Sequence, residues 1–207
     1  MQSPGKQFES NWKESYKNTD LTEIRLKDSA KWLMGQTASF QTENPCDFIM
    51  YFPFLWTLEL KSTEGASMSF NPKEPWKKPA NENTHVMIKH SQVKSLLKFA
   101  EKDGVIPGFI MNFRERFLKT KSEPNEVFFV HIEDFIDFAV SNDKSTISRK
   151  DCRRIGIEIK AHRKKVNYVY DITKFAKDSI EYCLNKDLLG NNILQKILNY
   201  LPKQDDY

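Results

Sequence analysis

Cysteine is scarce in this chain and placed where it staples nothing. Cys46, Cys152 and Cys183 are odd in number and widely spaced, with no Cys-x-x-Cys and no histidine pair beside them. That excludes a disulfide framework and a cysteine-based zinc site, and predicts free thiols. The four histidines, His85, His90, His131 and His162, show no zinc-ligand spacing either. With only seven glycines, the chain has no Gly-rich phosphate loop, nucleophile elbow or dinucleotide fingerprint. No internal repeat is present, and no hydrophobic run is long enough to span a bilayer. Met1-Gln2-Ser3-Pro4 begins no apolar signal region. These absences predict a soluble, cytoplasmic protein without a membrane partner.

What is present begins with size and charge. A chain of 207 residues buries about 70% of its unfolded surface without needing a metal or disulfide staple. The net charge of +4 is unevenly spread. Lys150-Asp151-Cys152-Arg153-Arg154 and Lys160-Ala161-His162-Arg163-Lys164-Lys165 gather positive charge in the C-terminal third, where it can neutralise phosphates or serve as a solvated face. A division into residues 1–160 as core and 161–207 as a basic, helical C-terminal extension packed on it follows from that shift.

The most apolar stretch carries the chemistry. In Pro45-Cys46-Asp47-Phe48-Ile49-Met50-Tyr51-Phe52-Pro53-Phe54-Leu55-Trp56-Thr57-Leu58-Glu59-Leu60-Lys61, β-branched and aromatic residues on either side of Pro53 read as two strands buried on both faces and joined by a short turn. A hairpin centred on Pro53 sets Asp47 opposite Glu59. Like charges so placed destabilise a sheet unless something positive lies between them, and a divalent cation fits. Lys61, two residues beyond Glu59, shares its face. The plainer reading makes all three strand-end charges.

Along the rest of the chain the order is α/β. Ser3-Pro4 reads as cap and first turn of a helix whose Phe8, Trp12 and Tyr16 form one stripe, with Glu9 on its flank. Residues 21–42, with Arg25, Lys27, Lys31, Trp32 and Phe40, have weak periodicity and read as a projecting arm. Ser62 to Thr84 reads as a long loop, whose Trp76, Lys77 and Lys78 suit either a nucleic-acid surface or a tryptophan pinned to the core. A helix follows from His90, with Val93, Leu96, Leu97 and Ala100 buried and Gln92 at the edge of that face. Strands are predicted over 108–113, 127–132 and 166–170. Helices are predicted over 133–140, up to Gly156, over 173–185 and over 191–201.

Helix with Glu9, arm, Asp47, Glu59-x-Lys61, then a helix opening with Gln92: this order resembles the PD-(D/E)xK nucleases, and more narrowly the RecU-type Holliday-junction resolvases and their phage-borne relatives. The matching stretches are Gly5-Lys6-Gln7-Phe8-Glu9, Cys46-Asp47-Phe48-Ile49-Met50-Tyr51, Leu58-Glu59-Leu60-Lys61-Ser62 and Ile88-Lys89-His90-Ser91-Gln92. The resemblance implies a restriction-endonuclease-like core with a mixed central sheet flanked by helices. It also implies magnesium, or manganese in its place, held by Asp47, Glu59 and Gln92, with Lys61 catalytic and Glu9 as an outer carboxylate. Where the cellular family has a threonine near the metal this chain has Pro45, and its interval from Lys61 to Gln92 is longer.

The function so implied is cleavage of four-way DNA in recombination and repair by a homodimer, since a junction has two symmetry-related cut sites. Arg25, Lys27 and Lys31 on the arm, Trp76, Lys77 and Lys78 on the loop, and Arg163, Lys164 and Lys165 near the C-terminus are the implied DNA contacts. Three alternatives share the sequence features: an endonuclease acting on duplex or flap DNA, a non-catalytic DNA-binding recombination factor, and an interaction module without nucleic acid. A composition rich in Lys, Asn, Ile and Phe points to an AT-rich genome and, with the phage-borne likeness, to a phage or mobile element.

Overall fold

The computed structural model describes residues 3–17, 19–26, 44–81, 84–117 and 122–190. In chain order its elements are α1 (Pro4–Glu14), β1 (Thr22–Arg25), β2 (Phe48–Tyr51), β3 (Leu55–Thr63), β4 (Ser67–Ser69), α2 (His90–Ala100), β5 (Val105–Phe113), β6 (Arg116–Phe117), β7 (Ser122–Glu123), β8 (Glu126–His131), α3 (Ile132–Ser141), β9 (Thr146–Ser148), α4 (Arg149–Ile155), β10 (Ile157–Ile159), β11 (Ala161–Lys164), β12 (Asn167–Tyr170) and α5 (Ile172–Asn185). Among the described residues this is an α/β fold with a mixed central sheet flanked by helices, the class expected from the sequence.

The sheet is built around β3 and β5. Every residue of β5 is buried, as are Trp56 to Leu60 of β3, because both strands are covered on both faces. They pair in parallel, Glu59 beside Phe109 and Lys61 beside Met111, and a parallel pair requires a crossover, here made by α2. The remaining neighbours are antiparallel, giving the order β1-β2-β3-β5-β8-β10. Gly108 has a packing reason: a Cβ there would lie 2.5 Å from the Phe129 ring and from the Val130 carbonyl.

Strand alternation divides the core in two. Trp56, Leu58 and Leu60 join Ile106 and Ile110 beneath α1 and α5, with Phe8, Trp12, Tyr170, Ile172 and Phe175. Phe109, Met111 and Phe113 face Val93 and Leu96 of α2 and Phe135 and Phe138 of α3. The aromatic stripe of α1 is thus a packing stripe: Trp12 lies 5.9 Å from Phe175 between ring centres, and truncating so buried an aromatic costs about 3–5 kcal/mol. Ser3 caps α1, accepting from the Lys6 amide, with Pro4 in the first turn. Cys46, Cys152 and Cys183 are all buried and free.

Four expectations need correction. First, β2 is not buried on both faces: Ile49 is half-buried and Tyr51 exposed, since α2 lies over β3 and β5 and leaves the outer face of β2 open. Second, the arm drawn over 21–42 begins inside the sheet, because Thr22–Arg25 is edge strand β1 paired with β2. Lys27, Lys31, Trp32 and Phe40 lie outside the described residues. Third, 62–84 is not one loop: β3 runs on to Thr63, and β4 pairs with β9. Fourth, the basic run at 160–165 is largely a strand, β11, hairpinned with β12.

The C-terminal segment completes the core. Trp56 Nε1 donates to Ser179 Oγ at 3.0 Å, and the Tyr170 amide donates to Ser15 Oγ at 2.9 Å. The boundary at residue 160 therefore falls within one hydrophobic cluster. The helix expected over 191–201 lies outside the described residues. No helix among them is long and apolar enough to cross a membrane.

Candidate active site

Hairpin register brings the two carboxylates together. Phe48 pairs with Leu58, and continuing that antiparallel register by one residue sets Asp47 against Glu59. The Leu60 amide donates to Asp47 Oδ2 at 2.8 Å, fixing that carboxylate at the strand end. Period-two alternation turns Glu59 and Lys61 to the α2 face, where Lys61 Nζ stands 3.4 Å from Glu59 Oε2. Gln92, in the first turn of α2, donates from Nε2 to the same Glu59 oxygen at 2.6 Å. The structure thus gathers Asp47, Glu59, Lys61 and Gln92 from three elements, the long interval before Gln92 notwithstanding.

The electrostatics follow from burial. Glu59 is 2% exposed, and its carboxyl is pushed up to about 8, first by desolvation and then by the Asp47 charge, with Lys61 opposing. Cys46 is raised to about 12 by burial and by both carboxylates, so its thiol stays protonated and is no nucleophile.

One buried and one half-buried carboxylate with an amide form an oxygen donor set suited to a hard divalent cation. Their enforced proximity is the feature a cation would relieve. Among the described residues no three His, Cys, Asp or Glu side chains cluster as a metal site, so the amide of Gln92 matters to the count. It presents nitrogen to Glu59, while its Oε1 accepts from the Lys89 amide at 3.2 Å. Coordination by Gln92 therefore requires that amide to turn over, exchanging its oxygen and nitrogen.

The other sequence candidates are placed elsewhere. Glu9 is ion-paired with Arg25, on the α1 side of the sheet, and is not brought to the carboxylate pair. Arg25 is accordingly a strand residue with an acidic partner rather than an arm residue. Trp76 is half-buried and packs against the α2–α3 core cluster, which answers to the pinning role, and Lys77 pairs with Glu74 at 2.5 Å. Lys78 is exposed beside it. Arg163, Lys164 and Lys165 sit on the β11–β12 hairpin on the α1 side, where Arg163 reaches Glu115 at 3.2 Å. They are thus on the opposite face of the sheet from Glu59.

Sequence reasoning missed a groove beside Gln92. A cavity of about 300 Å³ is lined by Asn44, Pro45, Ser91, Ser95, Lys94 and Lys98 along α2. Lys94 and Lys98 are exposed and one turn apart. That spacing, just downstream of a suspected metal ligand, was the available signal.

No family model matches this chain. The SPbeta prophage-derived uncharacterized protein YotM of Bacillus subtilis (strain 168) is 30% identical to it over 195 residues, which cover 88% of this chain and 90% of the relative. The chain belongs to the family of that prophage protein, in agreement with the phage or mobile-element origin expected from its composition together with its phage-borne likeness.

Proposed function

We propose that this family member is a metal-dependent endodeoxyribonuclease that hydrolyses phosphodiester bonds of branched, four-way DNA, acting in the cytoplasm as a homodimer with magnesium or manganese. The observation that carries the reading is the convergence of Asp47, Glu59, Lys61 and Gln92 at the end of β3, with Glu59 and Gln92 2.6 Å apart and Lys61 3.4 Å from the same carboxylate. A bound divalent ion would supply Lewis acidity toward the phosphate and a more acidic water. Asp47, Glu59 and, with its amide turned, Gln92 would hold it.

The chain's own side chains account for the rest. Lys61 is placed to offset negative charge growing on the phosphate oxygens. The Leu60 amide keeps Asp47 oriented, so the position of that carboxylate is set before substrate arrives. Lys94 and Lys98 along the α2 groove offer a path for the phosphate backbone toward Glu59. Four-way rather than linear DNA is taken from the likeness to junction resolvases, and the dimer from the two cut sites of a junction.

The test is incubation with a synthetic four-way junction beside linear duplex of the same sequences, with and without magnesium. Paired nicks in the junction, dependent on the metal, are the expected result. Cleavage of both substrates alike would reassign the substrate to duplex, and no cleavage of either would leave the site without its chemistry.

A further inference from the structure

A second site lies on the face of the sheet opposite the carboxylates. A cavity of about 340 Å³ opens between α1, the ends of β5 and β8, and the β11–β12 hairpin. On its wall is Asn112, 4% exposed, whose Nδ2 donates to Ser62 Oγ at 3.3 Å while its Oδ1 has no partner. Turning the amide over only exchanges which end is unpaired. Two further residues of its wall, Asn125 and Arg114, each carry a buried nitrogen without a hydrogen bond, Nδ2 and Nε, while Arg114 Nη2 pairs with Glu64 at 3.4 Å.

Register explains why these three meet. Asn112 pairs with Val127 across β5 and β8, so Asn125, two residues before Val127, and Arg114, two residues after Asn112, share its face. Buried polar groups are paired as a rule, and unpaired ones gathered round one cavity mark where a polar ligand would bind. The opposite wall is already satisfied: Gln7 Nε2 donates to Asn11 Oδ1 at 3.1 Å and to Asn167 Oδ1 at 2.9 Å. Tyr168 adds an aromatic ring to the lining.

An unpaired acceptor beside unpaired donors calls for a ligand edge that carries both. A nucleobase has such an edge, adenine offering an amino group next to a ring nitrogen, and an aromatic ring is a partner for its flat face. The cavity is of small-ligand size, too small for a duplex. Arg163 also lines it, paired there with Glu115 at 3.2 Å, and a phosphate attached to that base would meet its positive charge by displacing that carboxylate. We propose that this cavity binds one nucleobase, from a free deoxynucleotide or from an unpaired position in a DNA strand. The proposal is independent of the metal site and rests on the nuclease reading only for the second source.

The experiment measures equilibrium binding by the full chain in chelator, so that nothing is cut. Probes are deoxyadenosine monophosphate, a labelled short oligodeoxyadenylate and an abasic strand of equal length. The oligomer should bind at least tenfold more tightly than the abasic strand, and Asn112→Leu and Asn125→Ala should each remove that advantage. Asn112→Leu exchanges a half-paired amide for carbon, losing the bond to Ser62 along with the unpaired oxygen, and should leave the melting temperature of the unliganded protein nearly unchanged. Asn125→Ala changes a residue outside the strands and provides the second reading should the first variant fail to fold. Binding of the monophosphate identifies the free nucleotide as a source, and binding of the oligomer alone identifies a base in DNA. Equal binding of the oligomer and the abasic strand with no binding of the monophosphate, or unchanged binding by both variants, overturns the proposal. Base-dependent binding without any nuclease activity would sink the nuclease reading alone, whereas junction cleavage with base-independent binding would sink this one alone.

Discussion

Glu59→Gln should stabilise the metal-free protein while destroying its response to magnesium. The ordinary glutamate value of 4.5 is raised to about 8 in the fold. A carboxyl whose folded value is raised contributes stability that is complete below its unfolded value and is lost as pH rises through its folded value. Each unit corresponds to about 1.4 kcal/mol, so the native state is disfavoured by about 3 kcal/mol at pH 7 and about 5 kcal/mol well above pH 8. Glutamine has nearly the same shape and no charge to desolvate, although an amide hydrogen left unpaired returns roughly 1–2 kcal/mol of that gain. The net expectation at pH 7 is a gain of roughly 1–2 kcal/mol, or a few degrees in melting temperature for a chain of this size. Urea unfolding in chelator at pH 5, 7 and 8.5 measures it: the variant's advantage should be absent or reversed at pH 5 and largest at pH 8.5. Added magnesium should raise the midpoint of the parent and leave the variant unmoved. A parent whose stability does not fall between pH 5 and pH 8.5 relative to the variant, or a variant stabilised by magnesium as much as the parent, would refute the reasoning.

Asp47→Asn should abolish magnesium-dependent nicking while gel-shift affinity for a four-way junction persists, because it removes a ligand charge and little else. Lys61→Ala should lower the single-turnover cleavage rate by about a hundredfold or more with little change in the magnesium midpoint, the pattern of a group acting on developing charge. Lys94→Ala with Lys98→Ala should weaken DNA binding and reduce the slope of affinity against salt by about two contacts, a titration across salt concentrations being the measurement. His131 is buried and its value is lowered to about 4, chiefly by desolvation, so stability should fall as pH drops from about 6.5 through 4. His131→Asn, which keeps an acceptor at the cap of α3, should flatten that fall in unfolding curves.

Legibility in the sequence followed how local the governing geometry is. Asp47, Glu59 and Lys61 were readable because a short turn at Pro53 fixes the register of β2 on β3, and period-two alternation then decides which residues share a face. Gln92 was readable from its position one turn before the buried Leu96. Arg25 was not: its strand is four residues long, half-exposed throughout and held by pairing with residues more than twenty positions away, so periodicity carried little signal. Glu9 shows the same limit from the other side. The stripe of Phe8, Trp12 and Tyr16 located its helix, but whether Glu9 meets Arg25 or the Asp47–Glu59 pair is decided by which face of the sheet α1 covers. Asn112 was invisible for a related reason, since an asparagine inside an apolar run declares itself only when its unpaired atom is seen.

The fold also sets how positive charge reaches the carboxylate pair. Because β3 and β5 are parallel, the crossover must return over their face, and it delivers the first turn of α2 to Glu59, adding the positive end of a helix dipole to Lys61. Lys61 opposes the shift already, and the Glu59 carboxyl still stands at about 8, so burial and Asp47 outweigh Lys61 by about 5 kcal/mol. At an effective dielectric constant of about 20, a single charge at 4 Å is worth about 4 kcal/mol and a doubly charged ion about 8. Ionising Glu59 at pH 7 asks for only about 1.4 kcal/mol of this, which a second lysine would supply, whereas one divalent ion would supply it with a wide margin and hold Asp47 and Glu59 together. On this arithmetic the destabilised pair is the measure of how strongly the site would favour a dication over potassium, and competition between magnesium and high potassium in the urea experiment reads that preference directly.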